Sequence, residues 1–309
     1  MAAPIRFGVQ AGMMTDGRAF LDLARKAEEN GFDGLYVSDH PGVSGSPFAS
    51  LAAAASVTST LKLGTYVCNT GVRDPVQLAC DAATVDVVSD GRFILGVGAG
   101  HTPVEWTMEG RDYPAAEARV ARFGEIVEVV SRLLAGEVVT FQGRYIRTTD
   151  AFLLSPRPVQ GHLPLLVGGN GKRLLHAAAR YADIISLTGL GRTLDDGHRH
   201  TADWSAEAIN ERVDIIRQTV SDPAAVVLDA LVQHVEITND TATAAERAAS
   251  HAPGLTPKDV LAAPYALIGS VDEMTDQLVE YRDRWGFTSY VVRDAAIEAI
   301  AAVIARLAR

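Results

Sequence analysis

The chain has 309 residues, 48% of them hydrophobic, and a formal net charge of −10 at pH 7. That length and apolar content suit one large core. Acidic residues spread along the chain, with no basic run, argue against a nucleic-acid groove or an anionic membrane surface. The only cysteines, Cys68 and Cys80, fit neither a disulfide framework nor zinc-ligand spacing, and both read as reduced and structural. No charged region followed by an apolar signal segment opens the sequence, and no run is long enough to span a bilayer, which predicts a cytoplasmic protein.

Residues 5–10 read as a first strand, followed by a helix over 16–30 with Phe20, Leu23, Ala24 and Ala27 at helical spacing, Asp16 as its cap and Gly31 at its end. Residues 34–39 form a second strand. A Pro/Gly/Ser loop over 41–47 leads to an alanine-rich helix at 48–58. Residues 61–69 make a third strand and 75–89 a helix. The apolar run 91–101 is a buried fourth strand that breaks into a glycine-rich turn. There Gly96, Gly98 and Gly100 leave bare backbone against which a flat ligand could lie. The stretch is not a dinucleotide fingerprint, because His101 stands where the third glycine belongs and Pro103 blocks an immediate helix.

After four βα repeats the rhythm lengthens. A helix at 115–134 and a hairpin or bulged excursion at 138–154 form an insertion over about 104–160. The pattern resumes with a fifth strand at 163–167, a helix at 172–181, a sixth strand at 183–187, a seventh at 225–237 and an eighth at 289–292. Helices fall at 204–220, 270–285 and 294–307, with a further insertion before the eighth strand. Eight strands interleaved with helices predict an α/β fold, a single-domain (β/α)8 TIM barrel; an open doubly wound sheet is the alternative.

In such a barrel chemistry collects at the carboxyl ends of the strands. Those ends carry Asp39-His40, Cys68-Asn69, Ala99-Gly100-His101, Gly168-Gly169-Asn170 and Thr188-Gly189, with His234 near the seventh. His40 could donate or accept a proton with Asp39 fixing its tautomer, or Asp39 could simply cap the next segment. Gly168-Gly169-Asn170-Gly171-Lys172 offers free amides at a helix start beside a cation, a receptor for phosphate or a plain strand-to-helix turn. Asp195-Asp196-Gly197-His198-Arg199-His200 reads as a metal grip or a solvated lid. His234 continues an alternating face and either points into the barrel or satisfies a core hydrogen bond. The four lysines, Lys26, Lys62, Lys172 and Lys258, sit poorly for Schiff-base chemistry.

Together these marks resemble the bacterial luciferase-like superfamily, in particular its branch that uses the deazaflavin coenzyme F420. The matching residues are Ser38-Asp39-His40, Arg73-Asp74-Pro75, Ser89-Asp90-Gly91-Arg92 leading into Gly96-Val97-Gly98-Ala99-Gly100, Glu105, and Val167-Gly168-Gly169. The resemblance implies a tricyclic ring in the barrel mouth, its ribityl phosphate at Gly168, Gly169, Gly171 and Lys172. Asp39, Asn69, Ala99, Gly100 and Glu105 would lie along the coenzyme, and a non-proline cis peptide at Tyr66-Val67 would press on the ring.

The same resemblance makes His40 and His101 the proton-handling groups, although sugar-phosphate dehydrogenases of the branch carry a glutamate where His101 stands and a lysine where Gly191 stands. It therefore points to hydride transfer between F420 and a small, neutral carbonyl or conjugated substrate, with Thr188 near that substrate. An FMN-dependent monooxygenase and a non-catalytic cofactor carrier are the alternatives. No metal is expected. A homodimer is the expected assembly, with alanine-rich helices as a possible face.

Overall fold

A computed structural model describes residues 3–13, 15–194, 200–250 and 253–308. Strand β1 (Arg6–Ala11) leads into α1 (Gly17–Glu29), whose Asp16 cap accepts a hydrogen bond from the Arg18 amide. Next come β2 (Gly34–Val37), α2 (Pro47–Ala55), β3 (Lys62–Thr65), β4 (Cys68–Asn69), α3 (Pro75–Val88) and β5 (Phe93–Gly98). The excursion after β5 holds α4 (Pro103–Met108), α5 (Ala116–Leu134) and the antiparallel pair β6 (Val139–Gln142) and β7 (Arg147–Ala151).

The barrel resumes with β8 (Leu165–Gly168), α6 (Lys172–Ala178) and β9 (Ile184–Leu187). It then carries the antiparallel pair β10 (Leu190–Thr193) and β11 (His200–Ala202), α7 (Ala206–Thr219) and β12 (Val227–Leu231). The remaining elements are β13 (His234–Ile237), α8 (Thr241–Ala249), α9 (Pro257–Ala262), β14 (Ala266–Gly269), α10 (Val271–Trp285), β15 (Phe287–Arg293) and α11 (Ile297–Leu307).

The barrel is closed. Strands run β3-β2-β1-β15-β12-β9-β8-β5, every pair is parallel, and a direct β3–β5 pairing shuts the ring. β3 and β4 are two halves of one stave, parted at a cis Tyr66-Val67 peptide. This is the TIM barrel expected from the strand count, and closure disposes of the open sheet. No helix among the described residues is long and apolar enough to cross a membrane.

The barrel's own lumen is filled by Tyr36, Tyr66, Ile94, Leu166, Leu231 and Val291, while the larger apolar cluster lies between strands and helices. Tyr36 fits because Gly34 on its own strand and Gly8 and Gly64 on the two adjoining staves carry no Cβ; one at any of them would run into its ring. A buried carboxylate, Asp229, stands in the same layer and accepts hydrogen bonds from Tyr66 at 2.7 Å and Ser289 at 2.7 Å, with Ser186 on the Tyr66 hydroxyl.

Several expectations change. The predicted strand over 225–237 is two strands, because only β12 belongs to the barrel. β13 leaves the ring to pair with β14, so His234 lies outside the lumen, 3.1 Å from Glu236. Pro103 does not block a helix but occupies the first turn of α4, where its missing N–H is no loss. The loop after the sixth strand contains β10 and β11, while Asp195, Asp196, Gly197, His198 and Arg199 of the suggested metal grip lie outside the described residues.

The glycines of the fourth strand also serve another purpose than expected. A Cβ on Gly96 would overlap the Thr65 carbonyl oxygen, and one on Gly98 would lie 2.8 Å from the Val67 side chain. Only Gly100 has a positive φ, +76°, and a Cβ there would strike the Asn69 side chain. The bare backbone is therefore occupied mainly by the neighbouring stave. Gly96→Ala should lower unfolding stability by about 2–3 kcal/mol in a urea titration, since a packed backbone oxygen cannot yield. Gly124→Ala, in α5 with open space around the new methyl, should raise stability by about 0.5–1 kcal/mol.

Candidate active site

The close packing of β3–β4 on β5 fixes the mouth from below. Thr65 Oγ1 donates to the Gly96 carbonyl at 2.7 Å and accepts from the Gly96 amide at 2.8 Å, and the Thr70 hydroxyl donates to the Gly98 carbonyl at 2.9 Å. Asn69, buried at the top of this stave, accepts from the Gly71 amide at 2.8 Å and donates through Nδ2 to Glu105 Oε2 at 2.6 Å. Glu105 sits in α4, only 2% exposed, and its other oxygen lies 2.6 Å from His40 Nδ1. The imidazole is thus held through Nδ1, and Nε2 is the ring nitrogen left without a partner among the described residues.

Asp39 does not orient His40. It is buried and takes a two-point contact from Arg73, Nε to Oδ2 at 2.6 Å and Nη2 to Oδ1 at 2.8 Å, together with the Asn69 amide at 3.2 Å. This pairing ties the end of β2 to the turn after β4 and leaves the tautomer of His40 to Glu105. The capping role for Asp39 is absent as well; the turn after His40 is closed instead by Ser44, whose hydroxyl accepts the His40 amide at 2.9 Å.

His101 stands across the mouth, its ring 5.9 Å from that of His40 and 5.1 Å from that of His200 on β11. The two candidate proton carriers are set apart electrostatically. The hydrogen bond to Glu105 holds the His40 pKa above the ordinary imidazole value against the opposing effect of burial. Partial desolvation in the concave mouth, reinforced by His200 and His40, pushes His101 down to about 4. His40 is therefore the stronger base of the two rings, and His101 is neutral at neutral pH.

The other side of the mouth is less as expected. Gly168 and Gly169 stand at the end of β8, and Gly171 caps α6 with no side-chain hydrogen bond and nothing within 4 Å of where a Cβ would lie. Lys172 is exposed and turned to an ion pair with Glu211 on α7, and Arg173 pairs with Glu117 at 3.2 Å. Thr188 is fixed through its backbone, its amide on Asn170 Oδ1 at 3.1 Å and its carbonyl on Gln233 Nε2 at 2.8 Å.

The Tyr66 ring points down to Asp229 rather than up, so only the Tyr66-Val67 backbone and the Val67 side chain border the mouth. Ala99 and Gly100 are half-buried along its rim. Sequence reasoning missed Asp229, Gln10, Gln233 and Arg293. No motif marks them, and their roles depend on which residues the barrel brings opposite one another.

The luciferase-like monooxygenase family model matches residues 1–289. The chain belongs to the luciferase-like monooxygenase family. Within it, the chain is 36% identical over 189 residues to a protein of Nakamurella multipartita named F420-dependent glucose-6-phosphate dehydrogenase. The match covers 58% of this chain and 55% of that one. It is 31% identical over 198 residues to the 5,10-methylenetetrahydromethanopterin reductase of Methanopyrus kandleri, covering 59% and 54%. The chain thus spans a little over half the length of these curated relatives.

Among solved structures, an F420-dependent secondary alcohol dehydrogenase in complex with an F420-acetone adduct superposes with a TM-score of 0.75 at 22% identity. That match covers 97% of this chain and 99% of the other. The likeness shows the shared luciferase-like barrel.

The opposed shifts of the two histidines predict a pH signature in this family member. His101 binds its proton more weakly folded than unfolded, so the stability it contributes is lost as pH falls from about 6.5 towards its folded value. His40 behaves oppositely: its contribution is full below about 6.5 and is lost as pH rises through its raised folded pKa. Nitrogen NMR of the imidazoles should show His40 titrating above His101, and Glu105→Gln should move His40 downward while leaving His101 as the weaker base. Coincident titrations in the wild type would contradict the assignment.

Proposed function

We propose that this chain is an F420-dependent oxidoreductase that reduces or oxidises a small organic compound at a carbonyl or conjugated bond. The carrying observation is His40, clamped through Nδ1 on a buried carboxylate and free at Nε2, across the mouth from the glycine rim of β8 and α6. Family membership and the names of the curated relatives support the coenzyme.

The residues present fit such a coenzyme. Gly171 and the uncapped first turn of α6 would take the phosphate on backbone amides, with Gly168 and Gly169 bordering it, since the Gly169 amide already donates to the Ser186 carbonyl at 3.0 Å. Asn69, Ala99, Gly100 and the Tyr66-Val67 backbone would line the ring. Asp39 and Glu105 serve from behind, Asp39 through Arg73 and Glu105 through His40. When bound, the coenzyme supplies hydride chemistry at one ring carbon. The chain's own part is to orient, exclude water and move a proton at His40 Nε2, with neutral His101 as the second polar wall.

A sugar phosphate fits poorly. Gly191, where the resemblance to sugar-phosphate dehydrogenases would expect a lysine, lies in β10 against β11, and any Cβ there would collide with the Thr201 hydroxyl.

Titration of the purified protein with F420 and with FMN, followed by ring fluorescence, should give saturable binding of F420 and at least about 100-fold weaker binding of FMN. His40→Ala should keep F420 affinity within about threefold yet lower hydride exchange by about 100-fold or more. Preferential binding of FMN, with oxygen consumed on its reduction, would instead favour the monooxygenase reading.

A further inference from the structure

Arg293 ends β15 at the barrel mouth, beside β1. Its guanidinium reaches inward to two side-chain amides, Gln10 Oε1 and, at 3.5 Å, Gln233 Oε1. Each amide is locked from its other end. Gln10 Nε2 donates to the Tyr66 carbonyl at 3.0 Å, and Gln233 Nε2 to the Thr188 carbonyl at 2.8 Å. Both oxygens are thereby turned towards the arginine, which is aimed rather than loose.

The partners hold the cation without neutralising it. Among the described residues no carboxylate makes an ion pair with Arg293. The adjacent Asp294 is spent on backbone amides, Gly12 at 2.9 Å and Ala295 at 2.8 Å. Among the described residues two of the five guanidinium N–H groups have acceptors, and the side chain is exposed at the mouth. A partly desolvated charge with only neutral partners is unfavourable until an anion joins it. Gln10 lies in register with Arg293 on β15 and with Tyr36 on β2, four residues before His40, so both groups stand at the same end of neighbouring staves.

We propose that Arg293 receives a carboxylate on the acceptor substrate, making that substrate a carbonyl or conjugated acid rather than a neutral compound. The inference rests on the coenzyme-dependent reading of the same mouth and revises the neutral substrate expected from the sequence. That expectation followed from His101 and Gly191, the latter removing a cation from one rim, whereas Arg293 supplies one from another. A planar guanidinium with free donors matches a carboxylate edge in a two-point contact and would set the distance from the acid group to the reacting carbon.

The F420-loaded protein, titrated with oxo acids and enoic acids of about three to eight carbons and with the methyl ester of each, tests the assignment by quenching of F420 fluorescence. At least one acid should bind about tenfold or more tightly than its ester. Arg293→Gln should abolish that preference while F420 affinity stays unchanged, and Arg293→Lys should keep part of it. Equal binding of acids and esters by the wild type would overturn the proposal, as would a preference that survives in Arg293→Gln. So would a large loss of F420 affinity in Arg293→Gln with the preference intact, which would assign the cation to the coenzyme's own anionic groups.

Failure of the wild type to bind F420 would defeat the coenzyme reading instead. The same acid and ester pairs, added to the unloaded protein and followed at the His40 imidazole by NMR, would then decide the role of Arg293 separately: a shift with acids alone, lost in Arg293→Gln, supports it, and no such difference overturns it.

Discussion

Contact between two barrel staves at less than side-chain distance governs this molecule. The Thr65 carbonyl and the Val67 and Asn69 side chains of the third stave press on Gly96 and Gly98 of β5 and on Gly100 just beyond it, so closely that a Cβ at any of the three would clash. The consequence propagates upward. Asn69 is held where it can take Glu105, Glu105 is held where it can take His40, and His40 comes to the mouth with one nitrogen already engaged. A histidine on a loop of a large barrel would otherwise have rotamer freedom; here it inherits its position from buried groups.

Charge is layered in the same vertical order. At the base of the lumen Asp229, its pKa raised by burial, is satisfied by hydroxyls and packs the floor. Above it Asp39 and Arg73 neutralise one another and join two strand ends. At the mouth His40 is held on the Glu105 carboxylate and His101 is neutral, so Arg293, held by amides, is the cation there with no carboxylate partner among the described residues, in a chain whose net charge is −10. Net charge describes solubility, while the few groups left unpaired describe the ligand.

Much of this was legible in the sequence where the signal is local. Alternating strand and helix periodicity gave eight staves, and His40 and His101 followed from standing at strand ends. What was not legible depends on partners far apart in the chain. The periodicity of residues 225–237 runs unbroken through a place where the chain leaves the barrel, because β13 finds an equally good neighbour in β14. Lys172 was placed beside a phosphate by proximity in sequence, but Glu211 on the next helix offers it a nearer charge. The glycines of β5 were read as room for a ligand, and most of that room is taken by Val67 and Thr65. Arg293 and Gln10 are separated by nearly the whole chain and meet only because the barrel closes.

The function proposed here requires that the barrel mouth seat the flat ring of F420 with His40 on its open side. A crystal structure of the chain soaked with F420 tests it most directly. The account predicts ring density above the Tyr66-Val67 backbone, phosphate density at Gly168 to Gly171, and His40 Nε2 facing the exposed ring face. Ring density anywhere else, or a His40 turned away from it, would contradict the account.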